Sequence, residues 1–202
     1  MTPDPLLALV AQAAPLPARD ADAIRRAWGA PREVRAGDVL LAPGAVCRSL
    51  WFQDAGVARF YAESKPAPAE ADDADVTRHF VRPGTYYTVV ASLSTGTPSR
   101  EGVQMLTDGA VRRISREANE RLAADVPAWD AFRQRTVRRV YDDIDRFTDA
   151  LRSLTAAERY AAFERDYADV LLAVPLRYVA SYLGVTPQSL SRVRARRPRA
   201  GG

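Results

Sequence analysis

The stretch Pro175–Arg197, PLRYVASYLGVTPQSLSRVRARR, carries the strongest structural signal in the chain. A helix-turn-helix needs two short helices crossing steeply around a tight turn. Val179 and Leu183 sit four residues apart and give the first helix an inward face. Ala180 is small where the second helix crosses. Gly184 follows, where the chain can enter the left-handed backbone region, and Val185 plugs the turn. Thr186 is a good N-cap and Pro187 suits the first helical position. Leu190 and Val193 hold the second helix down. That leaves Gln188, Arg192 and Arg196 on one outward stripe at four-residue steps, with Thr186 at its start and Ser189 beside it.

Such a stripe suits the major groove of double-stranded DNA. Arginine pairs bidentately with guanine, and glutamine with adenine. Arg194, Arg197 and Arg199 are better placed for phosphates, which give affinity without sequence information. Tyr178 and Ser181 on the first helix are further candidates for backbone contact. From Val170 to Gly202 there are six arginines and no Asp or Glu. A basic, acid-free end of this kind favours a polyanionic partner. The competing reading is a plain helical hairpin with a solvated basic tail. The apolar spacing alone fits both; the turn residues and the charge favour the DNA-binding one.

Working outward, Thr155–Tyr167 (TAAERYAAFERDY) opens with a capping box. Thr155 caps and Glu158 reaches back, and Tyr160, Phe163 and Tyr167 form an apolar face. Before it, Glu117–Leu154 reads as one long helical region, interrupted or kinked near Pro127. Phe132, Val137, Val140, Ile144, Phe147, Leu151 and Leu154 mark its apolar stripe, and from Val137 the steps alternate three and four residues. That alternation is a coiled-coil seam. Val137, Val140, Ile144, Phe147 and Leu151 are expected on a dimer helix, which makes a second copy of the chain a partner.

Between Glu33 and Ser115 the period shortens to strands with turn signals. Gly37-Asp38, Pro43-Gly44, Ala55-Gly56 and Arg82-Pro83-Gly84 fall where the chain must reverse. Strands at that spacing suggest a small barrel or jelly roll. Glu63–Asp75 (ESKPAPAEADDAD) holds five acids and one lysine and is expected to be an exposed hairpin loop. Residues 1–30 read as helical, broken at Pro15 and Pro17. The fold class is α+β. The expected divisions are a β-roll sensor domain (1–115), a dimerisation helix (116–154) and an all-α helix-turn-helix domain (155–202).

The tail ERY…VPLRYVASYLGVTPQSLSRVR resembles the Crp/Fnr (cyclic-AMP receptor/fumarate-nitrate regulator) family of transcription regulators. It is most similar to a short branch with an "ASYLG-TP-SLSR" core. The order of parts matches over most of the chain. The resemblance implies a cyclic-nucleotide-binding-type β-roll, a homodimer reading a two-fold symmetric operator, and a small-molecule effector in the roll. Two departures qualify it. Family members that bind cyclic nucleotide carry a glycine-glutamate pair and, about ten residues on, an arginine. Those positions here hold Thr88, Val89 and Ser99, with Arg100 followed by Glu101, so the usual contacts are not expected. Tyr86, Ser92, Ser99 and Arg100 are the candidates for a different effector pocket or a collapsed one; the competing reading is that they simply decorate strands and loops. The tail beyond the recognition helix, RRPRAGG, is too short for the family's β-hairpin wing.

Other chemistry finds little support. No apolar run is long enough to cross a bilayer, and the N-terminus lacks signal-peptide features. Cys47, the single cysteine, suits a reducing compartment, so a cytoplasmic chain is expected. One histidine, His79, cannot assemble a metal site, and one cysteine cannot hold an iron-sulfur cluster. No cofactor or metal is expected. There is no phosphate-binding glycine loop and no G-x-S-x-G elbow, so no enzyme is expected. Two alternatives stay open: a dimeric sensor or scaffold that does not bind DNA, and a β-roll enzyme.

Overall fold

The computed structural model describes residues 4–63 and 75–195, without the side chain of Ile144. Arg196, Arg197 and Arg199 lie outside it, as does most of the acidic segment between Glu63 and Asp75.

The chain starts with two short helices, α1 (Pro5–Ala11) and α2 (Ala18–Trp28). Asp4 caps α1, its carboxylate accepting the Leu6 N–H at 3.0 Å. Strands follow: β1 (Arg32–Val34), β2 (Val39–Leu41), β3 (Ser49–Ala55), β4 (Ala58–Glu63), β5 (Asp75–Val81) and β6 (Thr85–Tyr87). A short helix, α3 (Val90–Thr95), precedes β7 (Gly102–Met105) and β8 (Gly109–Ser115). All pairings are antiparallel and make two four-stranded sheets, β1-β8-β3-β6 and β2-β7-β4-β5. This is the expected roll. The β3–β4 reversal depends on Gly56, at φ +78°, where an added Cβ would lie 2.5 Å from the Asp108 carbonyl oxygen.

Each sheet is a boundary between two environments, because side chains alternate across it. Trp51, Phe60, Tyr87, Val103, Met105 and Leu41 are buried together between the sheets. Leu50, Phe52 and Ile114 face the other way and pack with Trp28, Trp129 and Phe132 from the helices. A buried clasp fixes α1 to this outer side. Arg112 donates to Asp4 at 2.9 Å and to Asp54 at 2.8 Å.

The helical region expected over Glu117–Leu154 is interrupted at Pro127, into helix α4 (Arg116–Asp125) and helix α5 (Pro127–Ser153). Val126 between them is extended, at φ −125° and ψ 96°. Proline disfavours the helical conformation in the residue before it and is accepted in a first turn. Pro127 therefore starts a new helix rather than kinking an old one. Helices α6 (Ala156–Asp166), α7 (Ala168–Ala173), α8 (Leu176–Tyr182) and α9 (Pro187–Ala195) complete the chain. The capping box at Thr155 and Glu158 is formed.

Candidate nucleic-acid interface

Helices α8 and α9 form the predicted helix-turn-helix. Gly184 takes φ +68°. Its N–H donates to the Ser181 carbonyl at 3.1 Å, and the Val185 N–H to the Ala180 carbonyl at 3.0 Å. This paired arrangement satisfies the last carbonyls of α8 and turns the chain sharply. Thr186 Oγ1 accepts the Ser189 N–H at 3.1 Å and starts α9. Val179, Ala180, Leu183 and Leu190 are buried, together with Tyr160 and Phe163 of α6, Val170 of α7 and Val174 just after it. Burial of a leucine of this size contributes about 1.5–3 kcal/mol, so Leu190 alone is a substantial anchor for α9.

The far side of α9 is open. Gln188, Arg192 and Arg194 are exposed. Arg192 Nε donates to the Gln188 carbonyl at 3.4 Å, which lays the guanidinium along the stripe. Ser189 is only half exposed, and its Oγ accepts a bond from Thr186 Oγ1 at 3.0 Å. Thr186 and Ser189 thus serve the helix start first, and Gln188, Arg192 and Arg194 form the described outward set. Arg159 was not singled out from sequence, yet it braces the turn. It donates to the Leu183 carbonyl at 3.1 Å and to the Leu154 carbonyl at 2.7 Å. No spacing rule exposes such a role, because its partners lie on other elements.

The first helix behaves differently from expectation. Tyr178 and Ser181 do not face outward; α8 lies on the free edge of β5 in the same chain. The Thr77 N–H donates to Ser181 Oγ at 2.9 Å. The buried Arg59 guanidinium sits between two rings, 4.7 Å from the centroid of Tyr61 and 4.3 Å from that of Tyr178. It also donates to Gln104, at 3.0 Å, and to Asp75 and Thr77, each at 3.3 Å. Beside it, Tyr182 stacks on Phe147 at 4.6 Å and meets Phe80 at 5.3 Å and Phe163 at 5.5 Å. Burial among these rings pushes the Tyr182 hydroxyl well above its ordinary pKa. Arg82 lies 4.6 Å from the Tyr167 centroid and donates to the Asp166 carbonyl at 3.1 Å.

Helix α5 divides its stripe. Val137, Val140 and Leu151 are exposed, at 52%, 45% and 41%, with Tyr141 at 65%. Phe147 departs from the expected seam. It turns into its own chain, against Tyr182 and the edge of His79. Phe132 is buried against Tyr86 and Trp129. Heptad spacing alone cannot separate these cases, because adjacent seam positions diverge once the roll crowds one flank of the helix.

The candidate effector residues do not converge. Tyr86 is on the outer side of its sheet, where its ring meets Trp28, Trp129 and Phe132 and its hydroxyl donates to Asn119 at 3.4 Å. Ser92 accepts the Cys47 N–H and donates to the Thr97 carbonyl. Ser99 donates to the Glu101 carbonyl and accepts the Glu101 N–H. Both serines hold loops together. Arg100 is exposed. Between the sheets, Trp51 stacks on Tyr87 at 5.9 Å, and the Tyr87 hydroxyl donates to Gln53 at 2.8 Å. These side chains are buried together between the two sheets. Strand alternation puts neighbouring Tyr86 and Tyr87 on opposite faces of the sheet.

FixK2 from Bradyrhizobium japonicum superposes with a TM-score of 0.62 at 21% identity, over 83% of this chain and 84% of that one. The c-di-GMP responsive regulator CLP of Xanthomonas campestris gives 0.66 at 17%, over 89% and 90%. A transcriptional regulator assigned to the crp/fnr family from Eubacterium rectale gives 0.65 at 14%, over 88% and 82%. This chain has the Crp/Fnr-type fold. No protein-family model and no curated protein matches it. Within the Crp/Fnr-type fold, the roll, the long helix and the terminal helix-turn-helix follow the order anticipated from the tail sequence. No described helix is long and apolar enough to cross a membrane.

Proposed function

We propose that this chain is a DNA-binding transcription regulator. It acts as a homodimer, and each copy offers one helix-turn-helix to half of a two-fold symmetric operator. Residues 1–115 serve as a sensor-type roll, 116–154 as the dimerisation segment and 155–202 as the DNA-binding domain. The observation that carries the reading is helix α9. It is anchored by the fully buried Leu190, while Gln188, Arg192 and Arg194 stay open on its other side. Gln188 and Arg192 have the donors and acceptors to read base edges. Arg194, with Arg196 and Arg197 beyond the described residues, supplies charge for phosphates. The exposed Val137, Val140 and Leu151 support pairing of α5 with a second copy.

The packed roll interior argues against control by cyclic nucleotide in the usual manner. Trp51, Phe60 and Tyr87 pack against one another between the sheets, and Thr88, Val89 and Ser99 stand where the nucleotide-binding pattern has its glutamate and arginine. Control then falls to protein contacts, to a ligand of another kind or to protein abundance. Gel shifts across a salt series, with fragments from upstream of the chain's own gene, test the central claim. A specific complex is expected, with log affinity falling linearly against log salt concentration. No specific complex at low salt would refute it.

A further inference from the structure

Helix α5 presents three faces. One packs on the outer side of the roll and the N-terminal helices through Ala128, Trp129 and Phe132. A second carries the exposed apolar stripe of Val137, Val140 and Leu151. The third carries Ala131, Gln134, Arg135, Arg138, Arg139 and Asp142, at steps of three and four residues that bring side chains on a helix together. They line an open groove of about 550 Å³, a volume in the range of small-molecule sites. A second copy of the chain seated on the apolar stripe would leave this groove in solvent.

The groove holds charge that the chain does not answer. Arg135, Arg138 and Arg139 stand at i, i+3 and i+4, a spacing at which like charges destabilise a helix. Elsewhere on the surface, arginines three or four residues from an acid pair with it, as Arg25 does with Asp22, Arg116 with Glu120 and Arg146 with Asp143. Asp142 has that spacing to both Arg138 and Arg139, yet among the described residues neither arginine has an ion-pair or hydrogen-bond partner. Arg135 is fixed differently. It donates to the Gln12 carbonyl at the end of α1, at 2.7 Å, and a neutral acceptor leaves its charge in place. Three arginines against one aspartate give the face a net positive charge. Their Cβ atoms are spaced about 5–6 Å apart, so a lone phosphate reaches only part of the trio, whereas two linked phosphates span it. Guanidinium groups meet phosphate oxygens through paired N–H bonds. Arg139 lies well before the end of α5 at Ser153, on the order of 20 Å along the axis, which sets the groove apart from the arginines of α9.

We propose that this face of α5 is a binding site for a small ligand carrying two adjacent phosphates. Arg138 and Arg139 take the phosphate oxygens, and Arg135, held by α1, fixes one end. The ligand thereby bridges α5 and the N-terminal helices. The inference goes beyond the regulator reading and does not need it, because the ligand binds without DNA.

Isothermal titration calorimetry of the full chain at low salt tests it, with inorganic pyrophosphate, ADP and orthophosphate as probes and no DNA present. Pyrophosphate or ADP is expected to bind at one site per chain, with orthophosphate at least roughly tenfold weaker. Tighter binding of ADP than of pyrophosphate identifies a nucleotide as the source of the phosphates, and the reverse identifies a diphosphate without a nucleoside. Arg138→Gln and Arg139→Gln should each weaken pyrophosphate binding about tenfold, the loss of one charge-assisted contact. Both side chains are exposed and glutamine keeps the helix propensity, so the variants fold. Arg19→Gln, which removes an arginine 87% exposed on α2, should leave binding unchanged. The proposal is overturned by absence of saturable binding, by orthophosphate as tight as pyrophosphate, by equal weakening from Arg19→Gln, or by unchanged affinity when Arg138 and Arg139 are both replaced. None of these results bears on the helix-turn-helix, which the salt-series gel shifts test separately.

Discussion

Gly184 offers a clean test of why the helix-turn-helix turns where it does. Its φ of +68° lies in the region that L side chains disfavour. An added Cβ would meet only Leu151 Cδ2, at 3.9 Å, which is ordinary contact. The cost of Gly184→Ala is then backbone strain without a clash. Strain in the left-handed region is about 1–2 kcal/mol. Alanine's lower unfolded-state entropy returns about 0.4–1 kcal/mol. The net loss should be about 1 kcal/mol, which speeds opening of the turn about fivefold. Asparagine tolerates this region better, so Gly184→Asn should cost less. Gly56→Ala is the contrast, because strain there is joined by a Cβ 2.5 Å from a backbone oxygen that cannot swing away. It should cost about 3 kcal/mol or more. Native-state hydrogen exchange at Val185, whose N–H bonds the Ala180 carbonyl, measures the first two; urea unfolding of the roll measures the third. Equal costs for Gly184→Ala and Gly56→Ala would refute the separation of strain from clash.

Three further outcomes are expected. Val140→Glu should place a charge in the exposed α5 stripe and give monomers in light scattering; an unchanged dimer would move the interface elsewhere. Arg192→Ala should cost about 1–3 kcal/mol of operator binding and relax selectivity at one base position, and an unaltered sequence profile would remove Arg192 from base reading. His79 packs its ring against Phe60 and Phe147 while part of it stays exposed, and partial desolvation there, with the charge of Arg78 and against that of Asp143, lowers its pKa from 6.5, so its contribution is small. The unfolded chain therefore takes up the proton first, so stability falls as pH drops from 6.5 towards the folded pKa and is flat above 6.5. His79→Gln should flatten the difference in denaturation midpoint between pH 7 and pH 5.5, and an unchanged slope would assign it to other groups.

The parts that could be read along the chain were those whose physics is local. The spacing of Val179, Leu183 and Leu190, the glycine at 184 and the Thr186-Pro187 start define a helix-turn-helix within about twenty residues, because turn and cap preferences act over a few bonds. Period changes near residues 33 and 115 marked out the roll, and the capping box at Thr155 was visible directly. The proline at 127 was legible too, as an interruption or a kink, and the structure takes the interruption because its ring keeps Val126 extended. Tertiary structure decided what faces what. Tyr86 and Tyr87 are neighbours in sequence, yet one packs under the helices and the other fills the roll, a choice made by register. Phe147 keeps heptad spacing but turns to Tyr182 because the roll and α8 close around it. Arg59, unremarkable in sequence, becomes the point where the roll grips the helix-turn-helix. A long-range contact of this kind leaves no periodic trace in the sequence. It comes into being only when β4, β5 and α8 are brought to the same place.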